Sequence, residues 1–222
     1  MIDDKNMNAA IQNTPEYDLN NEATMVFEQQ DVPLSVQEWQ QLAELLAKSE
    51  YQHIVGGDAN ESHSVWVSRY HNDVESPEAL NALSGDIEAI VMSSKMRDFY
   101  QRFTGTNELC LRRCQANRLH KGDYIGMHKD QDSSPDYLAT IVFHFSDEYT
   151  GGYFQTGDMG GEQHSYKPQS HMALVNSCSI PHQVTEVESG ERLTLACFLS
   201  TSFADNKKSR YAFQIKGEKA LN

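Results

Sequence analysis

The sequence predicts a mainly β fold: a β-sandwich or jelly roll with helices packed outside it. Three observations point there. After Leu109, short apolar and β-branched runs follow one another closely, separated by turns rich in Gly, Ser and Asp. Before it, residues 34–103 carry apolar side chains at helical spacing. The 222 residues contain no internal repeat and suffice for one sizeable core. The expected organisation is a flexible acidic tail over 1–22, a single domain over 23–205 and a polar tail over 206–222. Within the domain the helical part covers 34–103 and the jelly-roll core 109–202.

Residues 1–22 are polar and show no apolar period, which argues a loosely attached segment. Thr24-Met-Val-Phe-Glu28 reads as a short strand. Ser35 is placed to cap a helix running to about Lys48, and Glu38, three residues on, completes a capping box. Val36, Trp39, Leu42, Leu45 and Leu46 form the buried face of that helix. Ser64-Val-Trp-Val-Ser68 reads as a strand. Ser76-Pro77-Glu78 signals a second helical region, running to about Phe103 in two pieces broken near Gly85 and ended by Thr104-Gly105. Strands are then expected at 109–117, 122–127, 137–146, 152–155, 171–177, 183–188 and 192–202.

Composition narrows the function. The net charge of −14 repels phosphate backbones, so nucleic acid is not an expected partner. No run approaches the roughly 20 apolar residues of a membrane span, and Met1-Ile-Asp-Asp-Lys5 lacks the order of a signal peptide. A cytoplasmic protein is expected. Cys110, Cys114, Cys178 and Cys197 form no C-x-x-C pair and read as reduced, buried small hydrophobes.

Chemistry concentrates between His128 and Arg192. His128 and Asp130 are two apart, so on extended chain both can face one ion while Lys129 faces away. His182 adds a second imidazole. Two histidines and one carboxylate form an iron(II) ligand set that leaves positions open. Arg192, ten residues after His182, can clamp a carboxylate with its planar fork.

With these residues in place the sequence resembles the 2-oxoglutarate/Fe(II)-dependent dioxygenases, in their prolyl-hydroxylase-like branch. The resemblance rests on Lys121-Gly-Asp-Tyr-Ile-Gly-Met-His128-Lys-Asp130, Thr140 to Tyr149, Gly151-Gly-Tyr-Phe154 and His182 to Arg192. It covers roughly residues 109–202. It implies a double-stranded β-helix, with His128, Asp130 and His182 as catalytic iron ligands and Arg192 as the anchor of 2-oxoglutarate. The implied cofactors are Fe(II), 2-oxoglutarate and O2. Because halogenating relatives lack the carboxylate, Asp130 argues for hydroxylation or another oxidation without halogen.

The sequence departs from the family at two tyrosine positions. His144 aligns with one and can take over its hydrogen bond to the far carboxylate, or serve as a core histidine. Thr194 shares the strand face of Arg192 and can add a hydroxyl. The other tyrosine aligns with Arg118, or with Asn117 if the loop differs by one. Arg118 and Asp132 are therefore the candidate substrate-binding residues, Asp132 because its loop follows the metal motif. His53, His63, His71 and His164 read as surface or loop residues, and His120 and His171 as non-ligands. Tyr124, Tyr137 and Tyr153 read as packing. The favoured activity is hydroxylation of a small molecule such as a free amino acid or related metabolite. Hydroxylation of a residue in a protein or peptide, and a non-catalytic metal-binding jelly roll, are the alternatives. Nothing in the sequence sets the oligomeric state.

Overall fold

The computed structural model describes Tyr17, Leu19 and residues 24–57, 61–72, 78–157 and 162–202. The first strand, β1 (Thr24–Phe27), precedes helix α1 (Val36–Ala47). A second group follows: β2 (Gln52–Val55), β3 (His63–Asn72) and β4 (Glu78–Ala79). Helices α2 (Ser84–Val91) and α3 (Ser94–Thr104) complete the N-terminal part. Then come β5 (Cys110–Leu119), β6 (Tyr124–His128), the single-turn α4 (Asp130–Ser133) and β7 (Ala139–His144). Three short strands, β8 (Tyr149–Gly151), β9 (Phe154–Thr156) and β10 (His164–Tyr166), lead to β11 (Ala173–Ser177). The chain continues through β12 (His182–Val184), β13 (Val187–Gly190) and β14 (Arg192–Ser200).

The strands hydrogen-bond in the order β1-β11-β7-β14-β5-β3-β6-β12-β9-β10, with β2 and β4 also on β3 and a separate β8–β13 ribbon. β3 pairs with β5 through Trp66–His71 and with β6 at His63 and Ser64. The path therefore turns at β3, and both halves of the sheet face one interior. This is the jelly-roll architecture the sequence predicts.

Strand alternation decides what each face does. On β14, Leu195, Cys197 and Leu199 pack into a core with Trp39, Leu42 and Leu46 of α1 and with Phe99 and Phe103 of α3. Thr194, Ala196 and Phe198 point the other way, into the barrel. β7 repeats this: Ile141 and Phe143 join the helical core, while Thr140 and Val142 line the interior. The helices thus cover the outside of one layer and leave its inside for a pocket.

Helix α1 starts as expected. Glu38 N–H donates to Ser35 Oγ at 3.2 Å, and Ser35 N–H donates to Glu38 Oε2 at 2.7 Å. Replacing Ser35 with alanine strands an N-terminal N–H and should cost about 1 kcal/mol. Denaturant unfolding would read this as a lower midpoint at unchanged slope.

The helical region 76–103 is corrected. Glu78 and Ala79 pair with Asn72 and His71 as a strand, and Ser76-Pro77 lies outside the described residues. Asn81 sets the real start. Its side-chain oxygen accepts from Leu83 N–H at 2.8 Å, and Ser84 N–H donates to the Asn81 carbonyl, a turn that leads into α2. The break between helices falls at Met92-Ser93 and not at Gly85, because Ser93 is extended at ψ 159°. Gly105, at φ 74°, caps α3 as expected.

Most of the two tails expected at 1–22 and 206–222 lies outside the described residues. Two described residues of the first do not fit a loose tail. Leu19 belongs to the helical core, and Tyr17 meets Phe27 edge-on with its N–H donating to the Arg102 carbonyl. Strands β2, β4, β8 and β10 were not anticipated; each pairs only a few residues. Among the described residues, no helix is long and apolar enough to cross a membrane. All four cysteines are free and buried.

Candidate active site

His128 closes β6 and Asp130 opens α4. Lys129 between them is extended, at φ −114° and ψ 138°, so the flanking side chains turn the same way. His182 opens β12 directly opposite His128 in the β6–β12 ladder. The three side chains converge. Asp130 Oδ1 lies 3.4 Å from His128 Nε2 and 3.6 Å from His182 Nε2, and the three donor atoms all fall within 4.8 Å of one another.

Backbone carbonyls set the tautomers. His128 Nδ1 lies 2.8 Å from the Gly126 carbonyl oxygen, and His182 Nδ1 lies 3.0 Å from that of Ile180. With each Nδ1–H donating to its carbonyl, each Nε2 keeps its lone pair for the shared space, the arrangement of metal-bound imidazoles. Thr140 Oγ1 donates to Asp130 Oδ2 at 2.5 Å, leaving Oδ1 toward the histidines. Phe154 stacks on the His182 ring at 5.0 Å.

The charges of Asp130 and His182 agree with this arrangement, and an ion there would displace the proton that Asp130 favours on His128. Burial alone would raise the Asp130 carboxyl. The His182 and His128 imidazoles and the Thr140 hydroxyl outweigh it and hold the group well below the usual carboxylate range. Burial pushes the His182 imidazole down, so it stays neutral. His128 is shifted up, because Asp130 outweighs the burial that opposes it. An anionic carboxylate and neutral imidazoles are the forms that bind a divalent ion. Thr140→Val should leave Asp130 free to rotate and weaken iron binding about 10- to 100-fold, read by an iron titration of the purified protein.

The same pocket contains Arg192, Thr194, Thr140, Asn117, Gln115 and Val67. Arg192 is 2 % exposed and donates to the Tyr149 hydroxyl, while its Nε has no hydrogen-bond partner. No ion pair neutralises it among the described residues. A buried guanidinium without a carboxylate is costly, so the site fits an anionic ligand. Gly152, at φ 62°, lets the chain pass close; a Cβ there would stand 3.1 Å from Arg192 Cδ. His144 faces Thr194 across the β7–β14 ladder. It is buried, its Nε2 is unpartnered, and burial followed by the Arg192 charge pushes its pKa well down. Arg192 and Thr194 therefore face the interior as donors suited to a carboxylate, while His144 lies buried beside Thr194 and does not itself line the pocket.

Arg118 is not in the pocket. Its guanidinium lies 4.3 Å from the Tyr51 ring centroid and its Nε 3.5 Å from Glu191. The alternation of β5 sends Arg118 outward and Asn117 inward, so of the two only Asn117 lines the pocket. Asp132 does not line the pocket either. It accepts from the Lys129 N–H within α4, and Ser133 faces the interior instead.

Of the histidines read as surface residues, His63 lines the pocket beside His128, with ring centroids 5.4 Å apart, and His71 is buried against Glu88. Tyr137 is core, as expected. Reasoning from sequence also missed Arg69, Arg113 and Gln115 on the pocket wall. The two-residue spacings His63-x-Val65-x-Val67-x-Arg69 on β3 and Arg113-x-Gln115-x-Asn117 on β5 are the signal that could have grouped them.

A family profile described as the 2OG-Fe(II) oxygenase superfamily matches residues 114–200. A PKHD-type hydroxylase of Shewanella baltica is 32 % identical over 107 residues, 45 % of this chain and 47 % of that protein. The chain spans about half the length of the curated relatives it matches. The crystal structure of a 2OG-Fe(II) oxygenase family oxidoreductase from Burkholderia pseudomallei superposes with a TM-score of 0.78 at 28 % identity, covering 87 % of this chain and 91 % of that one. A Pseudomonas putida prolyl-4-hydroxylase shares the fold, with a TM-score of 0.57 at 16 % identity over 82 % and 94 % of the two chains. The fold, the converging His128, Asp130 and His182, and these likenesses agree: residues 114–200 are similar to the 2OG-Fe(II) oxygenase superfamily, whose members use Fe(II), 2-oxoglutarate and O2.

Proposed function

We propose that the protein is a 2-oxoglutarate/Fe(II)-dependent hydroxylase that acts on an unactivated C–H bond of a small molecule, such as a free amino acid or related metabolite. One observation carries this reading. A single pocket joins a two-histidine, one-carboxylate set to a buried arginine that lacks a carboxylate partner. His128, Asp130 and His182 would hold the iron from one side, and Arg192 would hold the far carboxylate of 2-oxoglutarate, with Thr194 and His144 beside it. Bound together with O2, these supply an oxidant strong enough for such a bond, the chemistry that belongs to the cofactor.

The chain's own task is to orient and to exclude water. Val65, Val67, Phe154 and Phe198 give the pocket apolar walls, and Gln115 and Asn117 add polar contacts within it. Walls from both halves of the sheet favour a small substrate over a polypeptide. The net charge of −14 disfavours nucleic acid, and four free, buried cysteines suit a reducing cytoplasm.

Hydroxylation of a protein or peptide residue is the second reading, favoured by the likeness to a prolyl-4-hydroxylase. The test is succinate release with Fe(II) and 2-oxoglutarate, first alone, then with free amino acids, then with proline-containing peptides. Stimulation by an amino acid supports the proposal. Stimulation by peptides alone replaces it with the second reading. No iron-dependent succinate under any condition leaves a metal-binding jelly roll without oxygenase activity.

A further inference from the structure

The pocket holds a second set of two histidines and one carboxylate. His63 opens β3, which borders β6, Glu61 lies two residues before it, and their donor atoms lie within 4.8 Å of each other and of a His128 ring nitrogen. Glu61 Oε1 is 3.2 Å from His63 Nε2, and both side chains are nearly nine-tenths buried, at 11 % and 12 % exposed. The His63 ring meets the His128 ring edge-on.

Two features show that His63 is held as a ligand would be. Its Nδ1 lies 3.0 Å from the Ser62 carbonyl oxygen. His128 and His182 bear the same relation to the carbonyls of Gly126 and Ile180. All three rings thus set Nδ1 beside a backbone oxygen, and in the tautomer that donates Nδ1–H to it Nε2 is left for the pocket. The Gly126 N–H is shared, donating to the Ser62 carbonyl at 2.9 Å and to His63 Nδ1 at 3.1 Å. Gly57 supplies the second feature, a cradle. A Cβ there would stand 2.0 Å from Glu61 Oε1 and 2.5 Å from His63 Nε2. Only glycine leaves room for both groups where they sit.

We propose that Glu61, His63 and His128 form a second divalent-cation seat, suited to zinc, that shares His128 with the iron ligands and is filled in competition with them. Two imidazoles and a carboxylate, with one position left for water, satisfy the four-coordinate preference of zinc. Because His128 has one Nε2 to give, an ion in this seat takes a ligand from the other and stands beside it in the pocket. Zinc would then withdraw His128 and leave iron only Asp130 and His182. The seat goes beyond the proposed hydroxylase activity and holds whether or not that reading does.

The test uses zinc alone, titrated against a colorimetric indicator. Asp130→Ala and His182→Ala each dismantle the iron set and leave Glu61, His63 and His128 whole. Each variant, checked for folding by its melting curve, should still bind about one zinc ion per chain. Adding His63→Ala to either should weaken zinc at least about 100-fold, and adding Glu61→Gln at least about 10-fold, as loss of a ligand requires. Gly57→Ala should act in the same direction. Two folded variants that bind no zinc, or that bind it with equal strength whether or not His63 is present, would overturn the proposal. Two variants are used so that misfolding of one leaves the other to decide. The readout needs no iron, 2-oxoglutarate or turnover, so a failed oxygenase assay and a failed zinc seat are distinguishable.

Discussion

Asp130→Ala is expected to abolish succinate formation and to weaken iron binding by at least about 100-fold, more than the loss of an outer-shell contact would cost. Asp130 is the anionic member of the set, 5 % exposed, with Oδ1 within 3.6 Å of both imidazoles. Its carboxyl is held ionised far below neutral pH, so in the working range it meets the metal as a full charge. Alanine removes that charge and leaves two neutral imidazoles, which cannot close three positions around an iron ion. Parallel measurements of iron affinity and succinate yield check this. Normal coupled turnover in the variant would remove Asp130 from the metal site.

Arg192→Ala is expected to raise the 2-oxoglutarate requirement by roughly 30- to 1,000-fold, the loss of a buried charge-assisted pair of about 2–4 kcal/mol. The same change should not destabilise the protein without cosubstrate. The wild-type guanidinium is 2 % exposed and has no carboxylate partner among the described residues, so its removal relieves a desolvation cost. Thermal melts with and without 2-oxoglutarate separate the two effects. Arg192→Lys keeps the charge but not the planar fork, and should fall between wild type and alanine. An unchanged requirement in Arg192→Ala would move the anchor elsewhere, with Arg113 on the same pocket wall the first alternative.

The sequence made the convergence of His128, Asp130 and His182 legible because its logic is local. His128 and Asp130 flank one extended residue, and His182 and Arg192 open β12 and β14, ten residues apart. The capping box at Ser35 was legible for the same reason. Face assignment was not. Strands β5, β7 and β14 are buried on both sides, one against helices and one against the pocket, so hydrophobic alternation does not tell in from out. On β5 a register shift falls between Leu111 and Arg113, and polar residues occur on both faces beyond it. Arg118 and Asn117 could therefore not be separated before the structure turned Asn117 inward. His63 was hidden differently. Its role depends on β3 crossing from β5 to β6, a long-range pairing with no signature in the residues themselves. The late start of α2 was masked by the strong Pro77 signal, which the Asn81 turn overrides.

The central claim is that His128, Asp130, His182 and Arg192 assemble one iron and 2-oxoglutarate site. The most direct measurement is an anaerobic titration of the purified protein with Fe(II) and 2-oxoglutarate, followed by visible absorption. The account predicts the weak charge-transfer band of a 2-oxoglutarate chelate on bound iron, present in wild type and lost in Asp130→Ala. Iron binding with no band at saturating 2-oxoglutarate would contradict it.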